Sequence, residues 1–181
     1  MDYLDLTETT LTCEEKFTGT ILSVHVDTVS LPNGNTSFRE VVEHCPCAAV
    51  VALDGDNNLL MVTQYRYVIK QNLVEIPAGK MDEGETPFQA AERELREETG
   101  AIAGKWDYLG IYYPAPGCYG ELLHLYLAQD LTFTAQDLDD DEFVTVEKVP
   151  FDTVVGQIMD GTITDGKTMA AVLKTKVLLG L

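Results

Sequence analysis

The chain has 181 residues, 45% of them hydrophobic, which suits one compact domain with a real core and, at most, a small extension. Twelve basic residues against 30 acidic ones give a formal charge of -18, which repels a phosphate backbone and argues against a basic nucleic-acid-binding face. A phosphate-bearing small molecule would be repelled too, unless divalent cations bridge it to the carboxylates.

The N-terminal stretch MDYLDLTETT has neither a basic n-region nor an apolar h-region, so no signal peptide is expected. No apolar run approaches the ~18 residues of a membrane span. A reduced, cytoplasmic protein without membrane or nucleic-acid partners is the expectation. Cys13, Cys45, Cys47 and Cys118 form no C-x-x-C pair and no zinc-ligand spacing, and read as buried or half-buried thiols. Cys45 and Cys47 would share a face if both lay on one strand. His25, His44 and His124 show no ligand spacing and read as structural.

In chain order, residues 17–31 are rich in β-branched side chains and read as a strand. PNGN at 32–35 is a turn signal, and SFREVVEH reads as the returning strand. Residues 1–45 therefore form a small antiparallel β extension ahead of a main domain at 46–181. That domain opens with the strand CAAVVALD (47–54), a GDNN turn (55–58), and the strand LLMVTQYRY (59–67). LVEIPAG (73–79) carries a short strand into a Gly/Pro loop.

A helix follows from Pro87 to Thr99, with Thr86 as N-cap, Pro87 in the first turn and Gly100 as the stop. Further strands are expected near 106–113, 121–129 and 143–149, and helices at 151–161 and 167–180. Strands predominate without regular βαβ alternation. The fold class is thus α/β in the broad sense (α+β), an α/β/α sandwich with a mixed sheet.

The helix carries the sequence RELREETG at 93–100. At ~100° per residue, Phe88, Ala91 and Leu95 cluster within about 60° as a core stripe. Glu94, Glu97 and Glu98 fall on a separate arc about 100° wide beside it, while Glu92 and Arg96 make an i,i+4 pair on the far side. Like charges so spaced cost ~0.2–0.5 kcal/mol per pair. A solvated acidic face would explain the acidic residues but not their confinement to this arc next to EIPAG. A cation site would explain both, because carboxylate oxygens are the ligands hard cations such as Mg²⁺ prefer, with substrate phosphates completing the shell. Helix geometry alone leaves the solvated acidic face as a nearly equal alternative.

The segment GKMDEGETPFQAAERELREETGA (79–101) resembles the signature of the Nudix hydrolases, met by Gly79, Glu85, Arg93, Glu94, Leu95, Glu97, Glu98 and Gly100. Ala101 departs from the aliphatic residue usual at the last position, and Ile102 is expected to fill its space. The resemblance implies a loop–helix–loop on an α/β/α sandwich. It implies that Glu94, Glu97 and Glu98 ligate metal with the carbonyl of Ala78, that Arg93 and Glu85 orient these carboxylates, and that Gly79 and Gly84 permit a tight loop.

Outside the signature, REVVEH (39–44), QYRY (64–67), EIPAGK (75–80), YPAPGCYGE (113–121), DEF (141–143) and DGKTMAAV (165–172) resemble the ADP-ribose and nucleoside-diphosphate-sugar pyrophosphatases. Arg39 and Arg66, scarce cations beside apolar strands, suit a diphosphate. Pro116, Gly117 and Glu121 join them as candidate substrate contacts. The acidic run DLDDDE (137–142) reads by composition as a solvated loop. The resemblance implies that a loop here supplies a metal ligand or general base, Glu142 first and Asp140 second within 139–142, with Glu97 as a further candidate from the helix. The resemblance further implies a homodimer whose N-terminal extension helps build the substrate pocket; Phe17 and Tyr3 could stack on a base there, but packing is the favoured reading of each.

The expected activity is Mg²⁺-dependent hydrolysis of ADP-ribose or a related nucleoside diphosphate sugar, with two or more ions per site and Mn²⁺ as the alternative. A hydrolase of oxidised nucleoside triphosphates and a non-catalytic ADP-ribose sensor are the competing readings.

Overall fold

The computed structural model describes residues 5–181, so Tyr3 lies outside the described residues. These residues form two compact units. One comprises the described chain up to Cys45 together with Tyr113–Glu121, and the other comprises Pro46–Tyr112 and Leu122–Leu181.

The first unit is an antiparallel sheet of β1 (Thr9–Thr18), β2 (Leu22–Ser30) and β3 (Thr36–His44), in that order. The expected single strand over 17–31 is divided, because Gly19 and Thr20 turn the chain and the Gly19 N–H bonds to the Leu22 carbonyl at 2.9 Å. The strand ahead of that turn, β1, was not anticipated. PNGN closes the second hairpin, with Gly34 at φ 83°. Tyr113–Glu121 joins this unit through backbone bonds of Val42 N–H to Cys118 O and Gly120 N–H to Val42 O, both 2.8 Å.

The second unit contains, in chain order, β4 (Cys47–Ala52), β5 (Asn58–Arg66), β6 (Gln71–Glu75), β7 (Ala78–Lys80), α1 (Pro87–Thr99), β8 (Ala101–Tyr112), β9 (Leu123–Phe133), β10 (Val144–Pro150), α2 (Phe151–Met159) and α3 (Gly166–Leu179). Its central sheet has the order β7-β4-β9-β8; β4 and β9 run parallel and the other pairs antiparallel. A second sheet, β10-β5-β6, is antiparallel throughout. Cys45 precedes β4, so it does not share a strand with Cys47.

All six residues of β4 are buried, as expected of a strand covered on both faces. Cys47, Ala49 and Val51 pack in a core with Phe151, Val154, Ile158, Ala171 and Val172 of α2 and α3. Ala48, Val50 and Ala52 pack in another with Ala90, Ala91 and Leu95 of α1. Strand alternation thus feeds two helical layers, giving the expected α/β/α sandwich with a mixed sheet. No described helix is long and apolar enough to cross a membrane.

Candidate active site

Helix α1 is fixed at both ends by its own sequence. The Thr86 hydroxyl accepts from the Gln89 N–H, and the Gln89 side chain accepts from the Thr86 N–H, a reciprocal capping box. Gly100 ends the helix at φ 69°, and its N–H bonds to Arg96 O at 2.8 Å. The helix buries Ala90, Ala91 and Leu95, whereas Phe88 is 39% exposed and contributes through its edge to Trp106. The buried stripe therefore keeps Ala91 and Leu95 but extends away from Phe88 toward the arc of Glu94 and Glu98. Arg96 does not pair with Glu92; it bonds to Asp137 at 2.9 Å and Glu97 at 3.2 Å. Ala101 is itself fully buried and Ile102 is 47% exposed, so Ile102 does not fill the space at Ala101.

This placement turns Glu94 and Glu98 inward, with Glu97 at the rim. Arg93 binds the group together. Its Nε and Nη2 donate to the two oxygens of Glu85 at 3.0 and 2.9 Å, and Nη1 donates to Glu94 at 2.8 Å and Glu97 at 3.0 Å. Nη2 also donates to the Lys80 carbonyl at 2.8 Å. Glu85 in turn accepts from the Asp82 N–H at 3.0 Å, which closes the loop around Gly84, at φ 81°. One guanidinium thereby fixes the loop, the end of β7 and two helix carboxylates in a single geometry.

Gly79 has a different reason from Gly84. Its φ is not in the left-handed region, but a Cβ there would overlap the Glu94 carboxylate. The glycine is required for space, not for a turn.

Glu98 is 0% exposed. Its Oε2 accepts from the Ala78 N–H at 3.0 Å, and its Oε1 has no hydrogen-bond partner among the described residues. Burial and then the Glu94 charge push Glu98 up to about 8. Burial likewise raises Glu94, against the opposing pull of Arg93. An unpartnered, buried carboxylate oxygen beside a second buried carboxylate is costly unless a cation completes it.

Of these groups Gly79, Arg93, Glu94 and Glu97 border an open cleft of about 350 Å³, together with Lys80, Asp82, Asp139, Asp141 and Glu142, whereas the fully buried Glu98 is not in its lining. Burial, then the Asp139 charge, raises Glu142 above the ordinary carboxylate range. Asp140 is exposed and does not line the cleft. Asp139 and Asp141 line the cleft as well, although the sequence reading preferred Glu142 and Asp140 within 139–142, because nothing local distinguishes neighbours in an unbroken acidic run.

Arg66 is not a free fork. Its Nε and Nη2 each donate to Glu75 at 2.6 Å, while its Nη1 carries no such bond among the described residues. Glu75 is 1% exposed and also bonds to the ammonium of Lys167, which reaches Asp165 at 3.1 Å. Burial pushes Glu75 up, but Arg66 and Lys167 outweigh it and hold it below the usual range. Asp165 caps α3 through the Thr168 N–H, and the Thr168 hydroxyl accepts from the Ile76 N–H at 2.9 Å. This buried network ties α3 to the segment leading into Ala78. Sequence reasoning missed the pairing of Glu75 with Lys167, although EIPAGK and DGKTMAAV contained both residues.

Arg39, Pro116, Gly117 and Glu121 belong to the first unit, not to the unit that holds the cleft. There Arg39 is engaged, donating from Nε to Glu8 at 2.8 Å and from Nη1 to the Phe38 carbonyl at 2.8 Å. Pro116 and Gly117 are exposed, and Glu121 lies 3.9 Å from Nδ1 of His44.

A family model described as NUDIX domain matches residues 43–172. The chain is similar to a methanol dehydrogenase activator from Bacillus methanolicus, 41% identical over 167 residues that span 91% of this chain and 90% of that protein. It is similar to an ADP-ribose pyrophosphatase from Bacillus subtilis (strain 168), 38% identical over 169 residues, 92% of this chain and 91% of that one. A solved structure titled as an ADP compounds hydrolase shares the fold, with a TM-score of 0.86 at 21% identity over 98% of this chain and 97% of that chain.

Proposed function

The chain belongs to the Nudix family, and we propose that it hydrolyses the pyrophosphate bond of ADP-ribose or a related nucleoside diphosphate sugar, yielding a nucleoside monophosphate and a sugar phosphate. The observation that carries the reading is the buried Glu98 carboxylate with its unpartnered Oε1 beside Glu94. A site of this charge and burial fits divalent cations, and its donors are hard oxygens, the set that suits Mg²⁺. The substrate class rests on the similar ADP-ribose pyrophosphatase from Bacillus subtilis.

Glu94, Glu97 and Glu98, with the Ala78 carbonyl, would hold two or more Mg²⁺ ions, with Mn²⁺ as a substitute. When bound, these ions supply charge neutralisation of the diphosphate and acidify a water. The chain's own groups do the rest. Arg93 and Glu85 keep the carboxylates aimed. Glu142, raised by its surroundings and on the rim of the cleft, takes the proton of the attacking water. Arg66, held by Glu75 along one edge, offers Nη1 to a phosphate oxygen.

Arg39, Pro116, Gly117 and Glu121 stand as the substrate-contact candidates of the first unit. The chain is expected to act as a homodimer through that unit, whose Leu11, Phe17, Ile21 and Phe38 are each more than half exposed. Phe17 is in addition a stacking candidate for the base.

The test is incubation with ADP-ribose and Mg²⁺, with AMP and ribose 5-phosphate as the expected products. Absence of turnover across a panel of nucleoside diphosphate sugars would overturn the substrate class. Release of pyrophosphate from nucleoside triphosphates instead would move the activity to nucleotide clean-up, and binding without product would make the chain a sensor.

A further inference from the structure

The first unit holds a donor set unlike that of the cleft. In the β1–β2 ladder Cys13 lies directly opposite Asp27, and His25 lies two residues from Asp27 on the same face. One ligand atom each from Cys13, His25 and Asp27 fall within 4.8 Å of one another. The ladder slips register between Thr10 and Thr12 and again between Glu15 and Phe17, so irregularities bracket Cys13, and such irregularities re-aim side chains.

The surroundings of His25 have the form a metal-binding imidazole needs. Nδ1 is 2.9 Å from Asp27 Oδ1, and Nε2 is 3.4 Å from Glu43 Oε1 on β3. A ligating histidine characteristically gives its other N–H to a carboxylate, which fixes ring and tautomer. His25 and Asp27 are half-buried while Cys13 is exposed, which leaves an entry path. The cation nearest along this face, Arg39, sits opposite Asp27 in the β2–β3 ladder but is ion-paired with Glu8.

We propose that Cys13, His25 and Asp27 form a transition-metal site of the zinc class, with Glu43 orienting the histidine. Sulfur, imidazole nitrogen and carboxylate oxygen together favour a borderline-soft cation over Mg²⁺. Tetrahedral Zn²⁺ with bonds of about 2.0–2.3 Å needs its donors roughly 3.3–3.8 Å apart, a small closure of the present cluster, with water in the fourth position. Binding replaces the Cys13 S–H bond by a sulfur–metal bond and releases one proton to solvent.

The consequence is a clasp between β1 and β2. That sheet needs one, since Val29 is its single buried hydrophobic residue among those described, and small apolar-poor units commonly depend on a metal or another staple. No linear motif reveals the site, because strand register, not spacing, assembles it.

The test uses the full chain, stripped by chelator and held in saturating Mg²⁺ so that the carboxylate cleft is occupied. Added Co²⁺ should bind one equivalent with a sulfur-to-cobalt charge-transfer band, and Zn²⁺ should displace it and raise Tm. Cys13→Ser and His25→Gln should each lose the band, and Glu43→Gln should weaken Zn²⁺ binding by about tenfold. Circular dichroism checks that each variant keeps its strands; should Cys13→Ser fail to fold, Asp27→Asn is read the same way. No band in the wild type overturns the site. So does a band that survives Cys13→Ser, which would assign the thiolate to Cys45, Cys47 or Cys118.

Discussion

Gly79 and the Glu94 carboxylate lie so close that a Cβ on the glycine would occupy the space of the carboxylate. Glu94 is also held by Arg93 and is 7% exposed, so it has little room to retreat. Gly79→Ala is expected to shift Glu94 away from the cleft while the sheet and α1 persist, because the backbone at Gly79 is one any residue adopts. A misplacement of this kind costs about 10²-fold in rate. Steady-state kinetics alongside circular dichroism check it; unchanged kcat would separate the glycine from the site's chemistry.

The Glu98 carboxyl titrates at about 8 in the folded, metal-free chain. Between its ordinary value and that point the folded state holds a proton the unfolded state has lost. Stability from this group is therefore full in acid and declines as pH rises toward 8, by at most about 1.4 kcal/mol per pH unit. Denaturant melts in chelator should show this fall, and Glu98→Gln should flatten it while removing activity. Mg²⁺ should raise Tm more at pH 8 than at pH 5, since it favours the ionised form. A larger Mg²⁺ effect in acid would contradict the assignment.

Arg93 makes five hydrogen bonds to four partners: Glu85, Glu94, Glu97 and Lys80. A lysine retains the charge but not the planar fork. Arg93→Lys is expected to lower kcat by about 10–100-fold and to raise the Mg²⁺ concentration needed for half-activity. Arg96→Ala, which gives up contacts only to Asp137 and Glu97 at the rim, serves as the control and should have a smaller effect.

Glu142 lines the cleft and is raised by burial, whereas Asp140 is exposed and outside it. Glu142→Gln should lower kcat by about 10²–10⁴-fold and remove the acidic limb of the pH–rate profile. Asp140→Asn should leave both nearly unchanged. The reverse result would reassign the base within the same loop.

Helix α1 was legible because its information is local. Thr86, Pro87 and Gly100 mark its ends in the chain itself, and 3.6-residue periodicity gathers the three glutamates. What the sequence concealed is assembled across space. Arg96 chose Asp137, 41 positions away, over the local Glu92, since a neighbour on the same helix is only one of several carboxylates within reach. Arg66 looked free because its partner Glu75 is nine residues off, across the β5–β6 hairpin. Gly79 read as a turn glycine because the Glu94 carboxylate that fills its space lies 15 residues downstream. Gly19 was a signal not used: a glycine inside a β-branched run marks a bend, and it separates β1 from β2.

Lys167 offers a last test, of how the second unit holds its site. Glu75 is buried, and its charge is balanced by Arg66 on one side and Lys167 on the other. Removing one cation leaves a buried carboxylate half-compensated, and breaking such pairs costs about 3–5 kcal/mol. Lys167→Met retains the aliphatic stem but not the charge, so any loss comes from electrostatics and not from a cavity. It should lower the urea midpoint with little change in the slope. Adding Glu75→Gln should recover part of that stability, because the uncompensated charge is gone. The double variant should still turn over slowly, with KM rising more than kcat falls, since Arg66 loses the carboxylate that aims it. Additive losses in the two single variants would show that Lys167 and Glu75 do not act as a pair.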